Sequence, residues 1–263
     1  MVSSQAMGTV LPSSLSFLPP QRVGSRLSPT PEDISTAVTE LLHRRASSIM
    51  VGFGLNIDSE AMQHDLYLVS SVMRVAPPPT ESQVCHLAVL AWYELIGYFK
   101  NIFNLSRRLQ PGALTAMYTN GWLYISTSVR AKGEPRSWIN AVPDIPERDL
   151  VVCAIQDSGI NPATIHRTRA NCGEMLVLFQ WTRFNPPLTF QNLVNDGALF
   201  VTIGQERADG ELVLAVKAPC TAEVGGCLEV LDSLQLKYVT ACFEPDLNEC
   251  QVTLSEHRQQ SIF

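Results

Sequence analysis

Cys153, Asp157 and His166 are the residues whose types and spacing come nearest to a nucleophile set: a thiol, a carboxylate and an imidazole in one short stretch. Activating a thiol requires the base to converge on it. If "DLVVCAIQ" is a strand and "NPATIHRTRANC" a short helix, the thiol sits in the strand, the carboxylate at its end and the imidazole on the following helix. The apolar neighbours of Cys153 in "VVCAI" equally suit a small core side chain.

Other chemistry is harder to place. The seven cysteines (85, 153, 172, 220, 227, 242 and 250) are odd in number and contain no CxxC pair. Neither a full disulfide framework nor a zinc knuckle follows, and reduced thiols of a cytosolic protein are the economical expectation. Cys220 and Cys227 stand seven apart, which reads as too wide for a metal hook. The five histidines form no HxH or HxxxH pair. His64–Asp65 and Cys85–His86 are sequence neighbours, and on a helix such neighbours diverge by about 100°. Walker, HExxH, GxSxG and GxGxxG patterns are absent, and Gly52-Phe53-Gly54 is a lone GxG without a phosphate-binding continuation. The sequence therefore assigns no catalytic residue, no cofactor and no metal.

What remains is a display of aromatic and basic residues in segments read as loop or strand edge: Arg136, Trp138, Trp181, Arg183, Phe184 and Phe190, with Pro186 and Pro187 beside them. Aromatics next to arginine are the usual anchors of protein interfaces. Composition points the same way. Fifteen Arg stand against four Lys, and interfaces enrich Arg and deplete Lys. Charged residues make up 17% of the chain, against about 25% in an ordinary domain. The net charge of −6 is concentrated late, with four basic and eleven acidic residues in 196–263. No basic stripe is available to replace counterions on phosphates, which disfavours nucleic acid as a partner.

These residues need elements to hold them. Residues 1–30 have the Ser/Pro-rich composition of an extended arm and lack a signal-peptide pattern. Thr30, Pro31, Glu32 and Asp33 predict a helix start, with the helix running from about 31 to 48. A short strand in "SIMVGFGLNI" and a second helix through about Met73 follow. The spacing then predicts a long third helix over 80–109. Its polar stripe includes Glu94 and Lys100, so it is no membrane span. Asn120-Gly121 predicts a hairpin, Asp209-Gly210 a second, and "EMLVLFQWTRF" and "LKYVTACFEPD" read as strands. "TAEVGGCLEVLDSL" reads as helical in its second half, and the C-terminal tail as one more short strand. Residues 149–184 could form one βαβ unit.

The expected architecture is an arm (1–30) followed by one α+β domain (31–263): a helical N-terminal third (31–110) with one long central helix, then a mostly antiparallel or mixed sheet (111–263). The expected function is a structural subunit of a large assembly, such as a viral capsid or outer-shell protein of the cytoplasm and virion. It would contact other copies of itself and a second shell protein. The alternative is a cytosolic enzyme whose site is built from distant residues near Cys153, Asp157 and His166.

Overall fold

The computed structural model describes residues 56–57, 66–101, 110–131, 137–160, 170–208, 211–221, 226–240 and 253–258. The segments assigned to the arm and to the helix over 31–48 lie outside them, as do Arg136 and His166.

In chain order the elements are β1 (Asn56–Ile57), β2 (Leu66–Tyr67), β3 (Val69–Ala76), α1 (Glu81–Asn101), β4 (Ala113–Thr119), β5 (Trp122–Thr127), β6 (Arg130–Ala131), α2 (Trp138–Ala141), α3 (Pro146–Asp157), α4 (Gly173–Phe184), α5 (Phe190–Asn195), β7 (Leu199–Ala208), β8 (Glu211–Lys217), α6 (Cys227–Ser233), β9 (Lys237–Tyr238) and β10 (Thr253–Arg258). The sheet runs β1-β3-β5-β4-β7-β8, with β10 also paired to β3 and the short β9 to β7. Every pairing is antiparallel except β7 with β9. The class is α+β. Among the described residues no helix is long and apolar enough to cross a membrane.

Period-two alternation divides the strands between two cores. Leu114 and Ala116 of β4, Leu123 and Ile125 of β5, and Val201 and Ile203 of β7 face one side, where Val84, Leu87, Ala88, Ala91, Trp92 and Leu95 of α1 cover them. Met117, Tyr124 and Phe200 face the other, under Met175, Leu176, Val177, Leu178 and Phe179 of α4 and residues of α2, α3, α5 and α6. One face thus carries a single described helix and the other carries five.

This arrangement corrects the expected fold. The described residues of 31–110 are only partly helical, because three strands precede α1. Residues 69–73, expected to close a helix, belong to β3. In that strand Val69 to Met73 and Val75 are all buried, since both of its faces are roofed over that stretch. A strand covered on both faces loses the alternation that betrays it, and its Val-rich composition was the remaining clue. Among the described residues no helix forms a central spine: α1 spans 21 residues and lies on one face of the sheet.

The stretch 149–184 also departs from a βαβ unit. "DLVVCAIQ" lies in α3, started by Pro146, and "EMLVLFQWTRF" lies in α4. All ten residues from Gly173 to Thr182 are buried. A helix enclosed on every side is apolar all round and gives no 3.6-residue signal. The Asn120-Gly121 hairpin is present, both residues having positive φ (45° and 81°), as are the helix at 227–233 and the strand in the C-terminal tail.

On α1, burial pushes the His86 imidazole below its ordinary 6.5, because its charged form loses water. A depressed folded value means that its contribution to stability is fully present above pH 6.5. That contribution is lost as the pH falls through the folded value. Urea unfolding midpoints should therefore decline below pH 6.5, and His86→Asn should remove part of that decline.

Candidate metal centre

Three cysteines that are distant in sequence meet at the start of two helices on the five-helix face. Cys172 immediately precedes α4, Cys227 opens α6, and Cys220 lies in the connection after β8. Their sulfurs lie within 4.8 Å of one another, and the Cys172 and Cys220 Sγ atoms are 3.7 Å apart. Cys227 is buried, whereas Cys172 and Cys220 are half-buried.

Local structure explains the convergence. Cys172 occupies the N-cap of α4 with extended backbone (φ −76°, ψ 148°), and its side chain makes no capping bond. Its thiol is therefore not spent on the helix. The chain entering this cap is pinned from several directions. Val129 N–H donates to the Asn171 carbonyl at 2.8 Å, and Trp138 N–H donates to Asn171 Oδ1 at 2.9 Å. Trp138 Nε1 donates to the Ala170 carbonyl at 2.6 Å. The Trp138 ring is fully buried and stacks on Phe179 of α4 at 4.8 Å. Ala170 itself is held at φ 60°, a conformation that costs an L-residue roughly 1–2 kcal/mol.

The two ends of the interval between Cys220 and Cys227 are tied to each other. Gly226 N–H donates to the Thr221 carbonyl at 2.8 Å, and Leu228 N–H to the Cys220 carbonyl at 3.0 Å. Gly226 has φ 80°, and a Cβ there would collide with the Ile160 side chain. This position requires glycine twice over, for its backbone and for its space.

Glu174, in the first turn of α4, is buried. Its Oε1 accepts a 2.7 Å bond from Thr202 Oγ1 on β7, and Thr202 Oγ1 is 2.8 Å from Thr115 Oγ1 on β4. A Cβ on Gly173 would lie 2.5 Å from Thr115 Oγ1 and 3.0 Å from the Ser126 carbonyl. The start of α4 therefore sits closer to the strands than a residue with a side chain would allow.

The surroundings of Cys172 and Cys227 favour their protonated form. Cys172 is pushed well above the usual thiol range by its hydrogen bond with Cys220, by burial and by the nearby Glu174 charge. Cys227 is pushed up by hydrogen bonds with Cys172 and Cys220, by burial and by the charges around it. Three anions cannot share this space with a carboxylate unless a cation joins them. A thiophilic metal is the group that inverts this preference, because a coordinated thiol is deprotonated outright.

The residues singled out from the sequence fall elsewhere. Cys153 and Asp157 are both exposed on α3, one helical turn apart. Of the interface candidates, Trp138, Trp181 and Phe190 are buried in this chain's own core, so they are not displayed at the surface. Trp181 packs on Phe190 at 6.1 Å. Arg183 and Phe184 are half-buried at the end of α4, Arg183 lying over the Phe179 ring at 6.0 Å and Phe184 edge-on to Tyr124 at 6.2 Å. Cys85 is disulfide-bonded, so the expectation of reduced thiols fails for that residue. The cluster at 172, 220 and 227 was missed because the three ligands were sought at short spacing. The available signal was the pair of segments Cys172-Gly173-Glu174 and Pro219-Cys220, each standing ahead of a helix, with Cys227 opening the second.

No protein family model, no curated protein and no solved structure matches this chain.

Proposed function

We propose that Cys172, Cys220 and Cys227 hold a zinc ion and that Glu174 moves protons beside it, in an enzyme that hydrolyses the amino group of a heteroaromatic base. The convergence of three thiols with a buried carboxylate two residues from one of them carries this reading. Structural zinc sites are closed by four protein ligands, whereas catalytic ones have three and leave a position open. Among the described residues the cluster offers three, two of them half-buried and so within reach of solvent. Zinc deaminases of bases have a ligand two residues before a glutamate, then Pro-Cys and a further Cys. Here the order is Cys172-Gly173-Glu174, then Pro219-Cys220 and Cys227. The last interval is longer than in that pattern, and the backbone bonds across 221–228 close it.

A zinc ion held by Cys172, Cys220 and Cys227 would supply a water activated near neutral pH. Glu174 would hold and move the protons of the hydrolysis, giving one to the ring nitrogen next to the amino-bearing carbon and one to the departing amine, so that water and the amino base become ammonia and a ring carbonyl. The net charge of −6 and the acidic C-terminal quarter favour a free base or nucleoside over a polyanionic strand as substrate.

Zinc should co-purify in stoichiometric amount with the full chain, and ammonia should be released from at least one of cytosine, cytidine, adenine, adenosine or guanine. Cys172→Ser and Cys227→Ser should each weaken zinc binding by more than a hundredfold, read by competition with a chromogenic chelator. A chain that takes up no zinc after incubation with the metal under reducing conditions sinks the proposal.

The competing reading is the structural subunit of a large assembly such as a viral capsid or outer shell. It is supported by the excess of Arg over Lys and by the exposed run Pro186, Pro187 and Leu188 beside half-buried Phe184. It calls for large particles in light scattering of the pure chain, where the enzyme reading calls for a small closed species.

A further inference from the structure

We propose that Thr202, oriented in turn by Thr115, is the positioning residue that fixes the Glu174 carboxylate. This inference rests on the reading of Glu174 as the proton carrier.

The chain of hydroxyls has a direction. Thr202 has a single hydroxyl proton, and it is committed to Glu174 Oε1 at 2.7 Å. The 2.8 Å contact between the two threonine hydroxyls is therefore one in which Thr115 donates and Thr202 accepts. Donors that are themselves hydrogen-bonded polarise one another, which strengthens the terminal bond to the carboxylate.

The placement is not what packing alone would select. Thr115 and Thr202 are register partners across β4 and β7, on the sheet face that also carries Met117, Tyr124 and Phe200. Valine has nearly the same shape and would suit a buried strand without a hydroxyl to satisfy. Gly173 completes the set: its missing Cβ lets the first turn of α4 settle onto Thr115, which brings Glu174 within reach of Thr202. Two strands and one helix thus converge on one carboxylate oxygen, commit it to the sheet and fix the rotation of the group. A proton carrier needs that order, since a misplacement near 1 Å costs on the order of a hundredfold in rate.

The test uses the full-length, zinc-loaded chain with Thr202→Val, Thr202→Ser and Thr115→Val, and the base or nucleoside that the parent deaminates. Zinc content should be unchanged in all three. Thr202→Val should lower kcat by about ten- to a hundredfold with KM unchanged, Thr115→Val should lower it less, and Thr202→Ser should restore it to within a few fold. A second readout does not depend on turnover: the side-chain carboxyl carbon-13 resonance of Glu174 at fixed pH, assigned by its loss in Glu174→Gln. It should move in Thr202→Val and return in Thr202→Ser. An unmoved resonance in Thr202→Val overturns the proposal, as does a kcat within twofold of the parent. If the parent holds zinc but releases ammonia from none of the probes, the deaminase reading fails by itself. The resonance then decides the positioning claim alone, supporting it if moved in Val and restored in Ser, and overturning it if unmoved.

Discussion

Glu174→Gln is expected to leave the zinc content of the chain unaltered while lowering the rate of ammonia release by about 10²–10⁴-fold, the usual contribution of a positioned acid–base group. The amide is close to isosteric, and it can still accept the Thr202 hydrogen bond through its oxygen. What it cannot do is take up and return a proton. Zinc content and turnover should therefore separate in this variant and fall together in the cysteine variants. Retention of full activity by Glu174→Gln would remove the carboxylate from the chemistry, and loss of zinc would make its role structural.

The largest expected effect on stability comes from Trp138→Ala. The side chain is fully buried, and large-to-small changes at such aromatic positions cost about 3–5 kcal/mol. That is a large share of the roughly 5–15 kcal/mol by which native domains are stable. The same substitution frees the Ala170 carbonyl from its 2.6 Å bond and removes the ring stacked on Phe179. Trp138→Phe separates the two consequences. It keeps most of the stacked surface and loses the indole N–H, so it should cost much less stability. It should still weaken zinc affinity, because Ala170 at φ 60° is then less firmly held two residues from Cys172. Equal zinc affinity in Trp138→Phe and the parent would show that the indole bond has no part in holding the cap.

How much of this was legible in the sequence depended on whether an element keeps one face in water. The Asn120-Gly121 hairpin was readable because turn geometry is a local property. The helix at α1 was readable because Ser82 and Gln83 near its start remain outside the core. By contrast, α4 is enclosed on every side and β3 on both faces, so each lost its period and was assigned to the wrong class. The aromatics suffered the reverse error. Trp138 sits among prolines and charged residues, which reads as loop, yet the short helix it opens turns the ring wholly inward. The metal-site candidates escaped for a topological reason. Cys172 and Cys220 are 48 positions apart, and no local pattern announces that β7 will return beside β4 and bring them together.

That return has a bearing on how the molecule comes to exist. The ladders from β5 to β4 and from β7 to β8 join neighbours along the chain, and the ladder from β3 to β5 passes over α1 and β4. The ladder from β4 to β7 joins Thr115 to Thr202, 87 positions distant. Ordering so long an intervening segment must come before the pairing can reward it, and such contacts are the slow ones in folding. The β4–β7 pair, whose Thr202 hydroxyl touches Glu174, is therefore among the late ones, and the β3–β10 ladder, which joins Ala76 to Thr253, spans more chain still. A chain stalled midway would already have its hairpins and much of its hydrophobic interior, yet lack the contact that holds Glu174. Recovery of the proposed ammonia release during refolding should lag behind recovery of secondary structure.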